Sequence, residues 1–154
     1  MSTPHQPEQQ TAGGALALRS RSLSDVRLRK HADYQSAYAA SRKRQSASMS
    51  WFLAPQPAGP AAPRVGLTVP KALGKAHDRN RMKRRMREVL RRHVDLLPLA
   101  SDLILHPRRT VLTLQFTKLD AEVVRILHQA RKEAAQQSVQ QSAQQSGSAV
   151  PGQS

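Results

Sequence analysis

The chain has 154 residues, and its 25 Lys and Arg outweigh 10 Asp and Glu to give a formal net charge of +15. That length fits one domain with tails, and that charge disfavours self-association and attracts polyanions, so a monomer is expected, with nucleic acid and an anionic membrane surface as its two natural partners. There is no apolar run of the roughly 18 residues a membrane helix needs, and with no cysteine there can be no disulfide, thiolate zinc site or cysteine nucleophile.

The start, Met1 to Gly14, is polar and lacks the apolar core of a secretory signal. Together with the absent cysteines, this suits a reducing cytoplasm. Residues 1–18 are rich in Gln, Pro, Ala and Gly without periodicity, so a disordered arm is expected over 1–23. A domain is expected over 24–132, and a disordered Gln/Ser/Ala-rich tail over 133–154. Asp33 stands at the start of a short helix, Tyr34 to Arg42, with Tyr34, Ala37, Tyr38 and Ser41 on one face. Met49 to Ala54 reads as a strand ended by Pro55, and residues 56–63 read as a loop. Arg64 to Val69 reads as a second strand, stopped by Pro70. Asp78 is placed as the cap of a long helix from Arg79 to His93. Leu103 to Leu105 reads as a short buried strand, Leu112 to Phe116 as extended, and Asp120 as the cap of a last helix through Ala135. The class is α+β, a small two-layer α/β sandwich, with the strand–helix–strand unit 64–105 placing two strands in parallel.

The segment Asp78-Arg-Asn-Arg-Met-Lys-Arg-Arg-Met-Arg-Glu-Val-Leu-Arg-Arg-His93 carries the strongest signal. Met82, Met86, Val89, Leu90, His93 and Leu97 share one arc at helical spacing. Arg81, Lys83, Arg84, Arg85, Arg87, Arg91 and Arg92 occupy the rest. A solvated helix face interleaves Glu with Lys for mutual support; this one stacks like charges, as a polyanion-binding face does. Arginine's planar fork suits phosphate oxygens and base stacking. Asn80 reads either as a first-turn hydrogen-bonding residue or as an RNA contact. The histidines show no metal-ligand spacing, and no nuclease, Walker or nucleophile-elbow motif is present.

Arg64-Val-Gly-Leu-Thr-Val-Pro-Lys71, followed at the family's spacing by Arg79-Asn-Arg-Met-Lys-Arg-Arg-Met-Arg-Glu88, resembles the bacterial ribonuclease P protein subunit. Arg27-Leu-Arg-Lys with Asp33, Tyr34 and Tyr38 is similar to that family's N-terminal helix, and Asp102 to Leu105 falls at its fourth strand. The resemblance covers residues 27–130. It implies the order helix–strand–strand, a further strand, then helix–strand–helix. It also implies a left-handed βαβ crossover, an exception to the usual hand, as in the second domain of the fifth small-subunit ribosomal protein.

The resemblance further implies a role in removing the 5′ leader of precursor transfer RNA as part of an endoribonuclease holoenzyme. The catalytic RNA would hold the Mg²⁺ ions, and the protein would hold no catalytic residue. Arg79, Asn80, Arg81, Lys83, Arg84, Arg87 and Lys71 would contact RNA. Tyr34, Tyr38, Trp51 and Phe52 map to a cleft for the leader. A one-residue slip exchanges the faces of Trp51 and Phe52, and the paired tyrosines read equally as packing. The family commonly has a second lysine where this chain has Ala72. The alternative function is a non-catalytic structural RNA-binding protein, for example one associated with the ribosome.

Overall fold

The computed structural model describes residues 22–56 and 62–149. Residues 1–21 of the expected arm, 57–61 of the expected loop and 150–154 of the expected tail lie outside them. Ser22 and Leu23, assigned above to the arm, belong to the folded part. Ser22 and Asp25 form a reciprocal capping box on a 3₁₀ turn, Leu23–Val26, whose two apolar residues are buried.

Three α-helices and four strands follow among the described residues. Helix α1 spans His31–Ala40, starting a turn earlier than expected with Asp33 in its first turn. Strand β1, Arg42–Gln45, is wholly polar. It pairs antiparallel with β2, Met49–Pro55. Strand β3, Arg64–Leu67, stops two residues short of Val69. Helix α2 spans Ala76–Arg92 and β4 spans Ser101–Pro107. Of the segment expected to be extended, Leu112 ends a 3₁₀ turn, Arg109–Leu112, and Phe116 opens the last helix. Helix α3 runs Phe116–Ala149.

Two expected caps are corrected. Asp78 lies inside the first turn of α2, and Lys75 takes the cap position. Asp120 lies in the second turn of α3, where its carboxylate meets His93 Nε2 at 2.8 Å and ties α2 to α3. Helix α3 also continues through residues 133–149, assigned above to the tail. Gln and Ala are good helix formers, so a segment with no apolar face still extends a helix already nucleated by the core.

The sheet order is β1-β2-β4-β3. Strands β2 and β4 are antiparallel, whereas β3 and β4 are parallel and joined through α2. Alternation sorts the side chains. Met49, Trp51, Leu53, Val65, Leu103 and Leu105 face α2 and α3 in one large apolar core with Met86, Val89, Leu90, Leu119, Val123 and Leu127. Phe52, Ala54 and Ile104 face the other way and meet Leu28, Tyr34, Ala37 and Tyr38. Helices therefore lie on both faces of the sheet, α1 alone on the second.

Polar clamps hold the ends together. Arg64 grips Asp102 through two 2.8 Å hydrogen bonds and reaches Asp33 of α1 at 3.1 Å. Asp102 is buried, so this bidentate pair supplies the partner its carboxylate requires. Buried Glu122 on α3 accepts hydrogen bonds from Ser46 Oγ at 2.5 Å and from the Ser48 amide at 2.8 Å, fixing the β1–β2 turn.

Candidate RNA interface

Helix α2 places its basic residues by period. Met82, Met86, Val89 and Leu90 are buried, which turns the intervening cations outward, and those cations divide into two groups. Arg85 donates to the Leu114 carbonyl and so braces the chain entering α3. Arg91 and Arg92 pair with Glu88 at 2.9 and 3.6 Å, and Arg92 also lies 4.7 Å from the centre of the Phe116 ring. Arg79 Nε donates to the Gly74 carbonyl at 3.1 Å. By contrast, Arg81, Lys83, Arg84 and Arg87 have no hydrogen bond or ion pair with another described residue. The pairs Arg81/Arg84, Arg84/Arg87 and Lys83/Arg87 sit three or four residues apart, so like charges face one another along the helix.

Asn80 is exposed, the fifth residue of α2. It makes no side-chain hydrogen bond to a described residue, which removes the capping role that a helix start at Arg79 suggested. Lys71 is exposed in a 3₁₀ turn, Lys71–Leu73, between β3 and α2.

A cleft of about 560 Å³ opens beside α2, lined by His31, Tyr34, Gln35, Tyr38, Leu67, Thr68, Val69 and Lys83. One wall is α1 and the opposite wall is the end of β3, with Lys83 of α2 at its rim. A smaller neighbouring recess shares Tyr34, Leu67 and Lys83 and adds Arg27 and Arg87. The cationic helix face and the cleft are thus one continuous surface joined at Lys83.

Both tyrosines of α1 reach this cleft, their ring centres 6.4 Å apart. Tyr34 donates its hydroxyl to the Leu28 carbonyl at 3.2 Å, and burial pushes its phenol above the usual range. Its ring lies on Gly66, where an added Cβ would come within 2.7 Å of it. The glycine of the Arg64-Val-Gly-Leu motif is therefore the space that Tyr34 occupies. Tyr38 packs edge-on to Phe52 at 5.1 Å, and its hydroxyl meets His106 Nε2 at 2.7 Å and Thr68 Oγ1 at 3.4 Å.

Phe52 stands on the α1 face of the sheet, half-buried behind Tyr38. Trp51 does not reach the cleft. It is 2% exposed in the opposite core, because it is one residue out of phase with Phe52. Sequence reasoning missed His106, which touches both Tyr38 and Phe52. Its place two residues beyond Ile104 on β4 was the available signal. No described helix is long and apolar enough to cross a membrane, and no group of three or more His, Asp or Glu among the described residues could hold a metal ion.

Residues 24–131 match the family model for ribonuclease P. The ribonuclease P protein component of Thermobifida fusca is 34% identical over 116 residues, spanning 71% of this chain and 79% of that one. That of a Synechococcus strain is 33% identical over 107 residues, spanning 68% and 80%. A solved structure of a Staphylococcus aureus RNase P protein mutant superposes with a TM-score of 0.61 at 25% identity, covering 70% of this chain and 90% of that one.

Proposed function

The chain belongs to the ribonuclease P protein family, and we propose that it works as a protein subunit that seats α2 on the catalytic RNA and holds the 5′ leader of precursor transfer RNA in the cleft beside it. The observation that carries this reading is the continuity at Lys83. Of the four cations without internal partners, Lys83 lines a cleft walled by aromatic rings, Arg87 lines the recess beside it, and Arg81 and Arg84 stand exposed on the same helix.

The division of work follows from the chemistry of each part. Arg81, Arg84 and Arg87 offer planar donors to phosphate oxygens of a folded RNA, with Arg79, Asn80 and Lys71 at the flank of the same surface. Tyr34 and Tyr38, backed by Phe52, offer ring surface to single-stranded nucleotides, which stack on aromatic faces without regard to base. No side chain of the protein then handles the scissile phosphate. When bound by the RNA, Mg²⁺ ions supply the activated water and stabilise the leaving oxygen. The protein raises affinity for leader-bearing precursor and so lowers the Mg²⁺ needed for cleavage. It acts as a monomer, in the cytoplasm and off the membrane.

The test is 5′ processing of a precursor transfer RNA by a bacterial ribonuclease P RNA at low Mg²⁺, with and without the protein. Cleavage should rise on adding protein, and more for substrate with a leader of several nucleotides than for one with a single leader nucleotide. A protein that binds the RNA yet never aids cleavage would instead be a structural RNA-binding module.

A further inference from the structure

Tyr38 is the only cleft ring whose hydroxyl is held by another side chain in the described structure. Its partner, His106, comes from β4 on the α1 face of the sheet. The two rings are nearly perpendicular, 5.7 Å between centres, and His106 lies 5.0 Å from Phe52. Residues from α1, β2 and β4 thus form one three-ring cluster behind the cleft wall. Thr68, which lines the cleft beside Tyr38, closes the network from the β3 side at 3.4 Å.

We propose that His106 is a positioning residue that fixes Tyr38 in the cleft, so that Tyr38 presents ring surface rather than its hydroxyl to a leader nucleotide. This rests on the leader-binding reading above. The phenol has one proton. In the Nδ1–H tautomer of neutral His106, Nε2 accepts from the Tyr38 hydroxyl and the Tyr38 oxygen accepts from Thr68; in the Nε2–H tautomer both directions reverse, and the hydroxyl is engaged by the same two partners. The hydroxyl is thus engaged by protein partners, and the ring is what Tyr38 offers to a bound nucleotide. Burial, and then the nearby Lys43 charge, hold the His106 imidazole below its ordinary pKa and so in this neutral form. Lys43 on β1, Ser50 directly across from it on β2 and Tyr38 on α1 are charged or polar groups on its side of the sheet. The consequence is a cleft that binds by stacking and tolerates any base at that nucleotide.

The experiment uses holoenzyme reconstituted with a bacterial ribonuclease P RNA. It measures affinity for leader-bearing precursor and for mature transfer RNA lacking a leader. His106→Leu should shrink the leader-dependent preference about fivefold, the scale of one lost hydrogen bond, while leaving leaderless affinity unchanged. His106→Gln, which can still accept from Tyr38, should restore the preference to within about twofold of the parent on the same scale. Tyr38→Phe should match His106→Leu, and the double variant should be no worse than either alone, as coupled partners require. Should His106→Leu fail to fold, Tyr38→Phe decides by the same ratio. An unchanged preference in His106→Leu, or an equal loss with and without leader, overturns the positioning role and leaves the leader-binding reading intact. A parent holoenzyme with no leader preference at all overturns both.

Discussion

The two faces of the sheet are built from alternate residues of the same strands, yet they are finished differently. One is sealed by α2 and α3 over Trp51, Leu53, Leu103 and Leu105, all of them buried aliphatic or indole surface. The other is covered only by the ten-residue α1, and its side chains are Phe52, Ile104 and His106 against two tyrosines, with a cleft left open at the edge. A short helix cannot close a sheet face. What it leaves uncovered is aromatic and polar, which is the composition of a binding surface rather than of a core.

That contrast predicts unequal costs. Trp51→Ala should destabilise the fold by about 3–5 kcal/mol in urea unfolding, as a fully buried large residue does. Phe52→Ala, half-buried, should cost about 2 kcal/mol in the same experiment, because less area leaves water on folding. Equal costs would mean that the α1 face is as closed as the other.

Between these values stands the clamp joining α1 to the sheet. Arg64→Met leaves the buried Asp102 carboxylate with only the 3.4 Å hydrogen bond from Gln56 and should cost about 3 kcal/mol, with the double variant Arg64→Met, Asp102→Leu recovering part of it. Gly66→Ala should follow, at about 1–3 kcal/mol for a Cβ driven into Tyr34. Replacing Tyr34 by Ala in the same chain should reduce the cost of the Gly66 change, a coupling readable in a double-mutant cycle.

The smallest effect is in pH. His106 has a lowered pKa in the folded protein, so between the folded and unfolded values the unfolded chain binds the extra proton. Stability from this group is complete above about pH 6.5, the unfolded imidazole value. It is lost as pH falls through the folded value. Thermal melts from pH 7.5 to 5 should show a shallower acid loss in His106→Gln than in the parent; identical slopes would leave His106 outside the packed cluster.

Much of this was legible in the sequence. The period-3.6 stripe of Met82, Met86, Val89 and Leu90 fixed which side of α2 faces out, and the prolines at 55 and 107 marked the ends of β2 and β4. Strand β1 was not legible, because Arg-Lys-Arg-Gln carries no apolar alternation. It is an edge strand, and charge there blocks further pairing. The choice between Trp51 and Phe52 needed the strand register, which depends on partners about fifty residues away on β4. The split of the α2 cations was equally hidden. Arg85 looks like its neighbours in sequence, and only the chain's return past Leu114 gives it a partner. His106 was passed over because the strand was expected to end at Leu105, which left the histidine outside the alternation that sets Ile104 on the α1 face.

The cationic face of α2 is the part of the molecule on which the functional reading stands. Binding of ribonuclease P RNA across a salt series should be compared for the parent chain and for Arg81→Glu, Arg84→Glu, Arg87→Glu in one protein. Because these side chains have no internal partners, the melting temperature should stay within a few degrees, corresponding to a stability change of no more than about 0.5 kcal/mol. The affinity should fall and the dependence of log K on log salt should flatten by roughly one unit for each phosphate contact removed. An unaltered affinity and salt slope in a folded triple variant would contradict the account.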